Sequence, residues 1–357
     1  MSAKIIGMLG GGQLGRMSAQ AGEKLGVKTH VYCPEKAPPA SQVAANTTCA
    51  AYDDRAALAG FATKVDVITY EFENIPLETV QFLETLKPVY PSSSVLAVAQ
   101  ERLAEKAALN RFGIPTTRFA PARSADEIQT IMQEWGASQC IIKTTRFGYD
   151  GKGQALIRAT HEAATKFAGL NTDLVIVEEV VDFAHEISVI TARDTHGNVG
   201  SYTPGLNVHR NHILHTTTVP APLPEAILKN AQHLAETLAK KIDLVGVLGV
   251  EMFVTKDGRL LANEIAPRPH NSGHWTIDAC DCSQFEQHMR AVAGLALGPF
   301  TRHHDAVMTN LLGDDILQKD DLAGQPGHFV TDYGKNDAKP GRKMGHVTVL
   351  TPLSGAA

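Results

Sequence analysis

The sequence predicts an α/β fold at the N-terminus that passes into an α+β fold further along the chain. Short apolar runs at residues 4–9, 27–33 and 65–70 alternate with helix-forming stretches and tight turns. This alternation is typical of a doubly wound parallel sheet. Beyond it, β-rich runs and helical stretches follow in a different pattern, which indicates α+β packing rather than a continuation of the first sheet.

The individual elements follow in order. A helical stretch runs from the glycine-rich turn after the first strand to about residue 24. Residues 95–112 are strong helix formers and predict one helix, which Gly113 and Pro115 end. The central part has one long helical pattern, at residues 225–241, and four β-rich runs, at residues 139–143, 174–179, 186–192 and 245–254. A third portion begins near Pro299 and has the pattern of a small mixed β module.

The composition excludes several classes of protein. The chain has 357 residues, a formal net charge of −5 and 43% hydrophobic residues. So mild a charge does not fit a nucleic-acid coat, and so high an apolar content does not fit a disordered chain. Five cysteines are an odd number in a large chain, which argues against a disulfide framework. We therefore expect a cytoplasmic protein with no secretion signal, no membrane span and no nucleic-acid partner.

A glycine motif follows the first predicted strand. Gly10, Gly12 and Gly15 form G-x-G-x-x-G at the start of the first predicted helix. This arrangement lets the backbone approach a phosphate group at a helix N-terminus. A dinucleotide site also needs an acidic residue at the end of the second strand, but Glu35 lies beyond a proline. The motif is thus compatible with a nicotinamide dinucleotide, with another phosphate, or with a tight turn alone.

A predicted hairpin at residues 247–265 brings two acidic residues together. Asp-Gly at 257–258 favours a two-residue turn in which Lys256 pairs with Arg259. In that register Glu251 lies opposite Glu264. Adjacent carboxylates repel unless a cation lies between them, and Mg²⁺ is often held by one or two carboxylates together with substrate phosphates. The alternative is a pair of solvated acids on an exposed edge.

A strand lysine and a glycine loop come earlier in the chain. Lys143 ends an apolar run, and residues 148–154 contain three glycines. Such a loop can close over a polyphosphate while the lysine neutralises its charge. An ordinary hairpin loop is the alternative.

A constrained polar loop follows the acidic hairpin at residues 266–275. Its two prolines and one glycine make a regular element unfavourable, and it carries Arg268, His270, Asn271 and His274. A polar loop next to a cation is suited to binding a small oxyanion. Alternatively, its polar groups only satisfy the loop's own backbone.

In this order, the features resemble the ATP-grasp superfamily and, within it, the N5-carboxyaminoimidazole ribonucleotide synthases. The resemblance rests on residues 10–17, 70–74, 147–154, 263–275 and 340–346 and covers nearly the whole chain. The glycine motif is not specific, whereas the decapeptide at 266–275 together with Pro-Gly-Arg-Lys at 340–343 is.

The resemblance implies three domains: an N-terminal pre-ATP-grasp sheet at 1–98, central ATP-grasp lobes at 99–298, and a small C-terminal β domain at 299–357. It also implies site residues, all named by their numbers here. ATP would be bound by Arg102, Lys143, Gly148, Tyr149, Asp150, Gly151, Lys152, Gly153, Gln154, Glu178, Glu179, Val180, Val181, Glu186, His209, Asn263 and Glu264. The ribonucleotide would be bound by Gly12, Gln13, Leu14, Glu73, Lys335 and Arg342. Mg²⁺ would be held by Glu251 and Glu264, and the catalytic residues would be Lys143, Arg268, His270 and Asn271.

The activity implied by the resemblance is an ATP-dependent ligation in purine biosynthesis. Bicarbonate would be phosphorylated by ATP, with Mg²⁺, and the carboxyl group transferred to aminoimidazole ribonucleotide. The implied partners are these small molecules and a second copy of the chain in a homodimer. Three rivals stay open: an ATP-grasp ligase with another acceptor, a nicotinamide oxidoreductase, and a binding protein without catalysis.

Overall fold

The structure, a computed structural model, describes residues 3–148 and 151–354. Its N-terminal part is a parallel sheet of strand order β3-β2-β1-β4, which confirms the predicted α/β fold. The strands are β1 (Ile5–Leu9), β2 (Lys28–Cys33), β3 (Asn46–Cys49) and β4 (Val67–Tyr70), and the helices are α1 (Gln13–Lys24), α2 (Arg55–Ala62) and α3 (Leu77–Glu84). Strand β3 was not predicted, because this edge strand is mostly polar and exposed and therefore lacks the apolar signal.

The predicted helix at residues 95–112 is wrong, because the chain forms two helices there. These are α4 (Ser93–Gln100) and α5 (Arg102–Arg111). Glu101 is extended, with φ −127° and ψ 114°, and its carboxylate accepts the amides of Leu103 and Ala104 at 3.2 and 2.7 Å. Capping of this kind outweighs the small differences in helix propensity that the prediction used. Helix α5 therefore begins at Arg102 as a helix separate from α4.

A small antiparallel sheet follows, with strand order β5-β8-β6-β7. Its strands are β5 (Phe119–Ala122), β6 (Cys140–Thr144), β7 (Gln154–Ile157) and β8 (Val175–Glu179), and its helices are α6 (Ala125–Trp135) and α7 (Ala163–Gly169). The helices cover one face with a core that includes Ile128, Met132 and Ile142. Lys143 on β6 and Glu178 on β8 lie on neighbouring strands, which brings their side chains together.

Among the described residues, the largest sheet has nine strands, ordered β14-β13-β9-β11-β12-β15-β17-β16, with β10 beside β9. These strands are β9 (Phe183–Arg193), β10 (Val199–Ser201), β11 (Gly205–Arg210), β12 (Ile213–Val219), β13 (Gly246–Thr255), β14 (Leu260–Ala266), β15 (Asp305–Leu312), β16 (His328–Asp332) and β17 (Lys343–Thr351). Its helices are α8 (Glu225–Lys241), α9 (Thr276–Ala279), α10 (Gln284–Ala293) and α11 (Lys319–Ala323). The C-terminal strands thus extend the central sheet through the pairing of β12 with β15.

The main core lies between α8 and the strands β9, β13 and β14, and includes Val189, Leu238 and Val250. In the described part of the chain, no helix is both long and apolar enough to span a bilayer. The predicted α/β and α+β classes are both present. The domain limits at residues 98 and 298 stay a prediction.

Candidate active site

The hairpin formed by β13 and β14 places Glu251 opposite Glu264, as predicted, but the predicted turn is wrong. The loop has three residues rather than two, because Thr255 donates to the carbonyl of Arg259 at 2.9 Å and Gly258 takes φ +81°. That shifts the pairing near the turn by one residue, so Met252 lies opposite Ala262. A β-bulge between these rungs and Glu251 restores the predicted pair.

The bulge also explains how Asn263 reaches the site. An extra residue in one strand re-aims side chains, and bulges are common beside active sites. Asn263 lines a narrow cavity together with Glu186, His209 and Glu251. The predicted nucleotide residues of β9, β11, β13 and β14 therefore converge at one place.

The electrostatics of the two hairpin glutamates suit a cation. Burial and the adjacent Glu264 charge raise the pKa of Glu251 to about 8. Glu264 is 43% exposed and forms an ion pair with Arg102 at 3.3 Å. Within residues 3–148 and 151–354, no group of three or more His, Cys, Asp and Glu side chains is arranged to hold a metal. The two carboxylates still fit Mg²⁺, since this ion takes few protein ligands and completes its shell with water and phosphate oxygens.

Lys143 belongs to a group of three charged side chains, together with Glu178 and Lys106. Its Nζ lies 2.5 Å from Glu178 Oε2, and the other oxygen of Glu178 lies 3.3 Å from Lys106 Nζ. Burial alone raises the pKa of Glu178, but the two lysines outweigh it and lower the pKa to about 2. Lys106 was not among the predicted site residues, although its position one helical turn after Arg102 was a usable signal.

The predicted flap begins beside Arg102, whose guanidinium donates to the carbonyl of Gly148 at 3.0 Å. Gly151 and Gly153 have φ of +78° and +69°, which a residue other than glycine rarely adopts. Gln154 begins β7 and pairs with Lys143, so the loop returns to the strand that carries the lysine. Lys152 lies within it, and the predicted contacts Tyr149 and Asp150 lie outside the described residues.

Residues 178–181, which are among the predicted ATP contacts, join the small sheet to the large one. Val180 and Val181 are half-buried and connect β8 to β9, while the Glu179 carboxylate pairs with Arg118 at 3.2 Å. On β9 and β11, Glu186 and His209 form a short contact of 2.5 Å. Burial alone lowers the pKa of His209, but the hydrogen bond and charge of Glu186 raise it overall.

Arg268, one of the predicted catalytic residues, links the polar loop at residues 266–275 to the predicted ribonucleotide residues. Its guanidinium binds both carboxylate oxygens of Glu73, one contact being 2.9 Å. Burial alone raises the pKa of Glu73, but Arg268 outweighs it and lowers the pKa to about 2. A bidentate pair of this kind fixes the plane of the guanidinium.

His270 and Asn271 are held by contacts of their own. His270 Nδ1 lies 2.8 Å from Ser272 Oγ, and its Nε2 lies 3.6 Å from Glu251. Burial and the charge of Arg268 lower the pKa of His270 to about 3, so the imidazole is neutral. Asn271 exchanges two amide hydrogen bonds with Asn310, at 3.0 and 2.8 Å.

The glycine motif is already occupied by a side chain. The buried carboxylate of Glu71, at the end of β4, accepts the amides of Gly12 and Gly15. A β-carbon on Gly12 would lie 2.6 Å from Glu71 Oε1, which explains why glycine is needed there. A pyrophosphate group would compete with Glu71 for the same amides, which counts against the nicotinamide alternative.

The remaining predicted ribonucleotide residues approach this loop from two sides. Gln13 and Leu14 begin α1 directly after Gly12. Lys335 comes from the C-terminal part, and burial and the nearby Arg342 lower its pKa to about 8, while Glu71 acts in the opposite direction. Gln42 fixes this approach by donating to the carbonyl of Gly334 at 2.8 Å.

Three family models match consecutive parts of the chain. They are the ribonucleotide synthetase preATP-grasp domain at residues 3–100, the ATP-grasp domain at 107–285, and the phosphoribosylaminoimidazole carboxylase C-terminal domain at 306–356. These matches confirm the predicted ATP-grasp architecture.

Relatives of known name match over the full length. The N5-carboxyaminoimidazole ribonucleotide synthase of Brucella melitensis is 48% identical, over 97% of this chain and 96% of its own. An ADP complex of an N5-carboxyaminoimidazole ribonucleotide synthetase has a TM-score of 0.93 at 40% identity, covering 98% and 93% of the two chains. The Aspergillus clavatus synthase with ADP and 5-aminoimidazole ribonucleotide has a TM-score of 0.92 at 29% identity, covering 98% and 94%. The chain therefore belongs to the N5-carboxyaminoimidazole ribonucleotide synthase family of ATP-grasp ligases.

Proposed function

We propose that this protein carboxylates 5-aminoimidazole ribonucleotide with bicarbonate, at the expense of ATP, to give N5-carboxyaminoimidazole ribonucleotide, ADP and phosphate. The observation that carries the proposal is the bidentate contact between Arg268 and Glu73. It holds an arginine of the predicted oxyanion loop against an acid of the predicted ribonucleotide site. Two substrates bound on either side of this pair would be close enough to react.

In the first step a bicarbonate oxygen attacks the γ-phosphorus of ATP. The bond from that phosphorus to the β–γ bridging oxygen breaks, so that carboxyphosphate and ADP form. Lys143 and Arg102 offset negative charge on the phosphate oxygens, and Gly148, Gly151 and Gly153 lie over them. Glu251 and Glu264 would hold Mg²⁺, which when bound neutralises phosphate charge.

In the second step the exocyclic amine of the ribonucleotide takes the carboxyl group. The amine attacks either carboxyphosphate directly or the CO₂ that carboxyphosphate releases. In both cases phosphate departs and accepts the proton that the amine loses. Arg268 stabilises the carboxylate oxygens, and the Glu73 contact keeps its guanidinium in place. The neutral His270 adds no positive charge and lines the pocket with a polar side chain.

We assign the ribonucleotide phosphate to the amides of Gln13 and Leu14, since those of Gly12 and Gly15 donate to Glu71. Lys335 and Arg342 supply positive charge from the opposite side. The adenine lies against residues 178–181, and the ribose against Glu186 and His209. A homodimer and a cytoplasmic location belong to the same proposal.

An ADP-release assay tests the proposed function. We expect ADP release in the presence of ATP and Mg²⁺ to require both bicarbonate and aminoimidazole ribonucleotide, and the carboxylated product to form in equal amount. Formate replaces bicarbonate in a parallel reaction. ADP release with formate, or without the ribonucleotide, would assign the chain to a different ATP-grasp reaction. No ADP release with any acceptor, together with ATP binding, would indicate a binding protein.

A further inference from the structure

Lys106 is a buried lysine that none of the predicted ATP contacts includes. Its side chain is 2% exposed, and it lies on α5 one turn after Arg102. Its Nζ lies 3.3 Å from Glu178 Oε1 and donates to the carbonyl of Ala262 at 3.4 Å. Burying an ammonium group is costly unless an anion lies beside it, and here that anion is Glu178.

Glu178 joins Lys106 to Lys143. One carboxylate oxygen faces each lysine, and the Glu178 side chain is only 4% exposed. Two cations share one anion, so this group of three carries a formal charge of +1. Without Lys106 the remaining pair would have no net charge. The Glu178 anion, 2.5 Å from Lys143 Nζ, would then offset the whole charge of Lys143, and the lysine would attract a triphosphate less strongly.

We propose that Lys106 is a positioning residue for ATP, which acts by offsetting the charge of Glu178 so that Lys143 attracts phosphate. This inference rests on the proposed function, because it takes Lys143 as a phosphate contact. Burial lowers the pKa of Lys106, and the Glu178 charge opposes that effect. Burial raises the pKa of Glu178, but the two lysines outweigh it and lower the pKa to about 2, so the carboxylate is ionised at neutral pH and offsets one positive charge of the group.

A set of four proteins tests this inference through charge alone. The wild type, K106M, E178Q and the double variant carry formal charges of +1, 0, +2 and +1 in this group. The dissociation constant of ATP is measured for each by equilibrium dialysis without bicarbonate or ribonucleotide. We expect K106M to bind ATP about tenfold or more weakly, a change equivalent to about 1.4 kcal/mol. The double variant should bind ATP about tenfold more tightly than K106M, because E178Q restores the charge that K106M removes, and it should bind ATP more weakly than E178Q alone.

A purely structural role for Lys106 predicts the opposite order. If Lys106 only fills space, the second substitution adds to the damage of the first, and the double variant binds ATP worse than K106M. That result, or wild-type affinity in K106M, overturns the inference. If K106M does not fold, the double variant is compared with E178Q, in which Glu178 is also replaced. Equal ATP affinity in these two proteins, or higher affinity in the double variant, then overturns the inference.

A matched control is available in Lys4. Its ammonium donates to the carbonyl of Ala293 at 2.7 Å, far from Glu178, so K4M should leave ATP affinity unchanged. The KM of aminoimidazole ribonucleotide should also stay the same in K106M. A wild type that binds no ATP at all would refute the proposed function rather than the role of Lys106.

Discussion

The contact between Arg268 and Glu73 leads to a quantitative prediction for Glu73→Gln. The pKa of Glu73 falls from its ordinary 4.5 to about 2, chiefly because Arg268 outweighs the effect of burial. Each tenfold change in an acid constant corresponds to about 1.4 kcal/mol, so the charge of Glu73 stabilises the folded protein by roughly 3 kcal/mol. The two side chains are 15% and 27% exposed, so solvent screens the pair only partly. Breaking a buried pair from one side typically costs about 3–5 kcal/mol, which agrees.

The pH dependence of this stabilisation has a definite sign. The pKa of Glu73 is lower in the folded state, so the stabilisation is complete above about pH 4.5 and is lost as the pH falls towards about 2. The difference in stability between wild type and E73Q should therefore be largest at neutral pH. It should be smaller at about pH 3.5.

Urea unfolding, followed by the fluorescence of Trp275, measures this difference. Trp275 is 1% exposed and lies seven residues after Arg268, and W135F makes it the only tryptophan in the chain. A matched control is E225Q, which removes the fully exposed ion pair of Glu225 with Lys229 on α8 and should have no measurable effect. The reasoning is refuted if E73Q unfolds at the same urea concentration as E225Q, or if its deficit does not shrink in acid.

Three further predictions concern the site. Glu264→Gln should lower kcat by about 100-fold or more at saturating Mg²⁺. The urea midpoint of unfolding should hardly change, because Glu264 is 43% exposed and its pair with Arg102 contributes little to stability. Near-normal turnover would contradict the metal assignment. Gly12→Ala should raise the KM of aminoimidazole ribonucleotide more than that of ATP, because the new methyl group displaces Glu71. Gly60→Ala on α2 should leave both KM values unchanged, because a β-carbon there would meet no atom within 4 Å beyond its chain neighbours and the backbone of its own helix. Asn310→Leu should lower kcat with little change in the KM of ATP, because Asn271 loses both of its hydrogen bonds with the Asn310 amide. Steady-state kinetics with each substrate varied in turn would detect an effect confined to ATP, which would refute this role.

Local sequence patterns predicted the parts of the site that depend on one element or one turn. The glycine motif at the start of α1 and the pairing of Glu251 with Glu264 both come from residues close together in the chain, where strand alternation and turn preferences determine the geometry. Even there, the pairing of Glu251 with Glu264 was predicted correctly from a turn that is wrong. The three-residue turn and the bulge beside Asn263 shift the register in opposite directions and cancel. The Asp-Gly pair is compatible with both two-residue and three-residue turns, and the bulge has no recognisable signal in the sequence.

Contacts between distant parts of the chain were decided only by the tertiary structure. The Glu71 carboxylate enters the glycine loop across 59 positions from Gly12, and Arg268 meets Glu73 across 195. Glu178 is reached by Lys106 from a helix and by Lys143 from a strand. Each of these charges is tolerated inside the protein only because its partner is buried with it. The sequence by itself therefore determined which chemical groups the protein has and their local spacing, whereas the folding of distant segments onto one another determined which charges neutralise each other and which remain to bind phosphate.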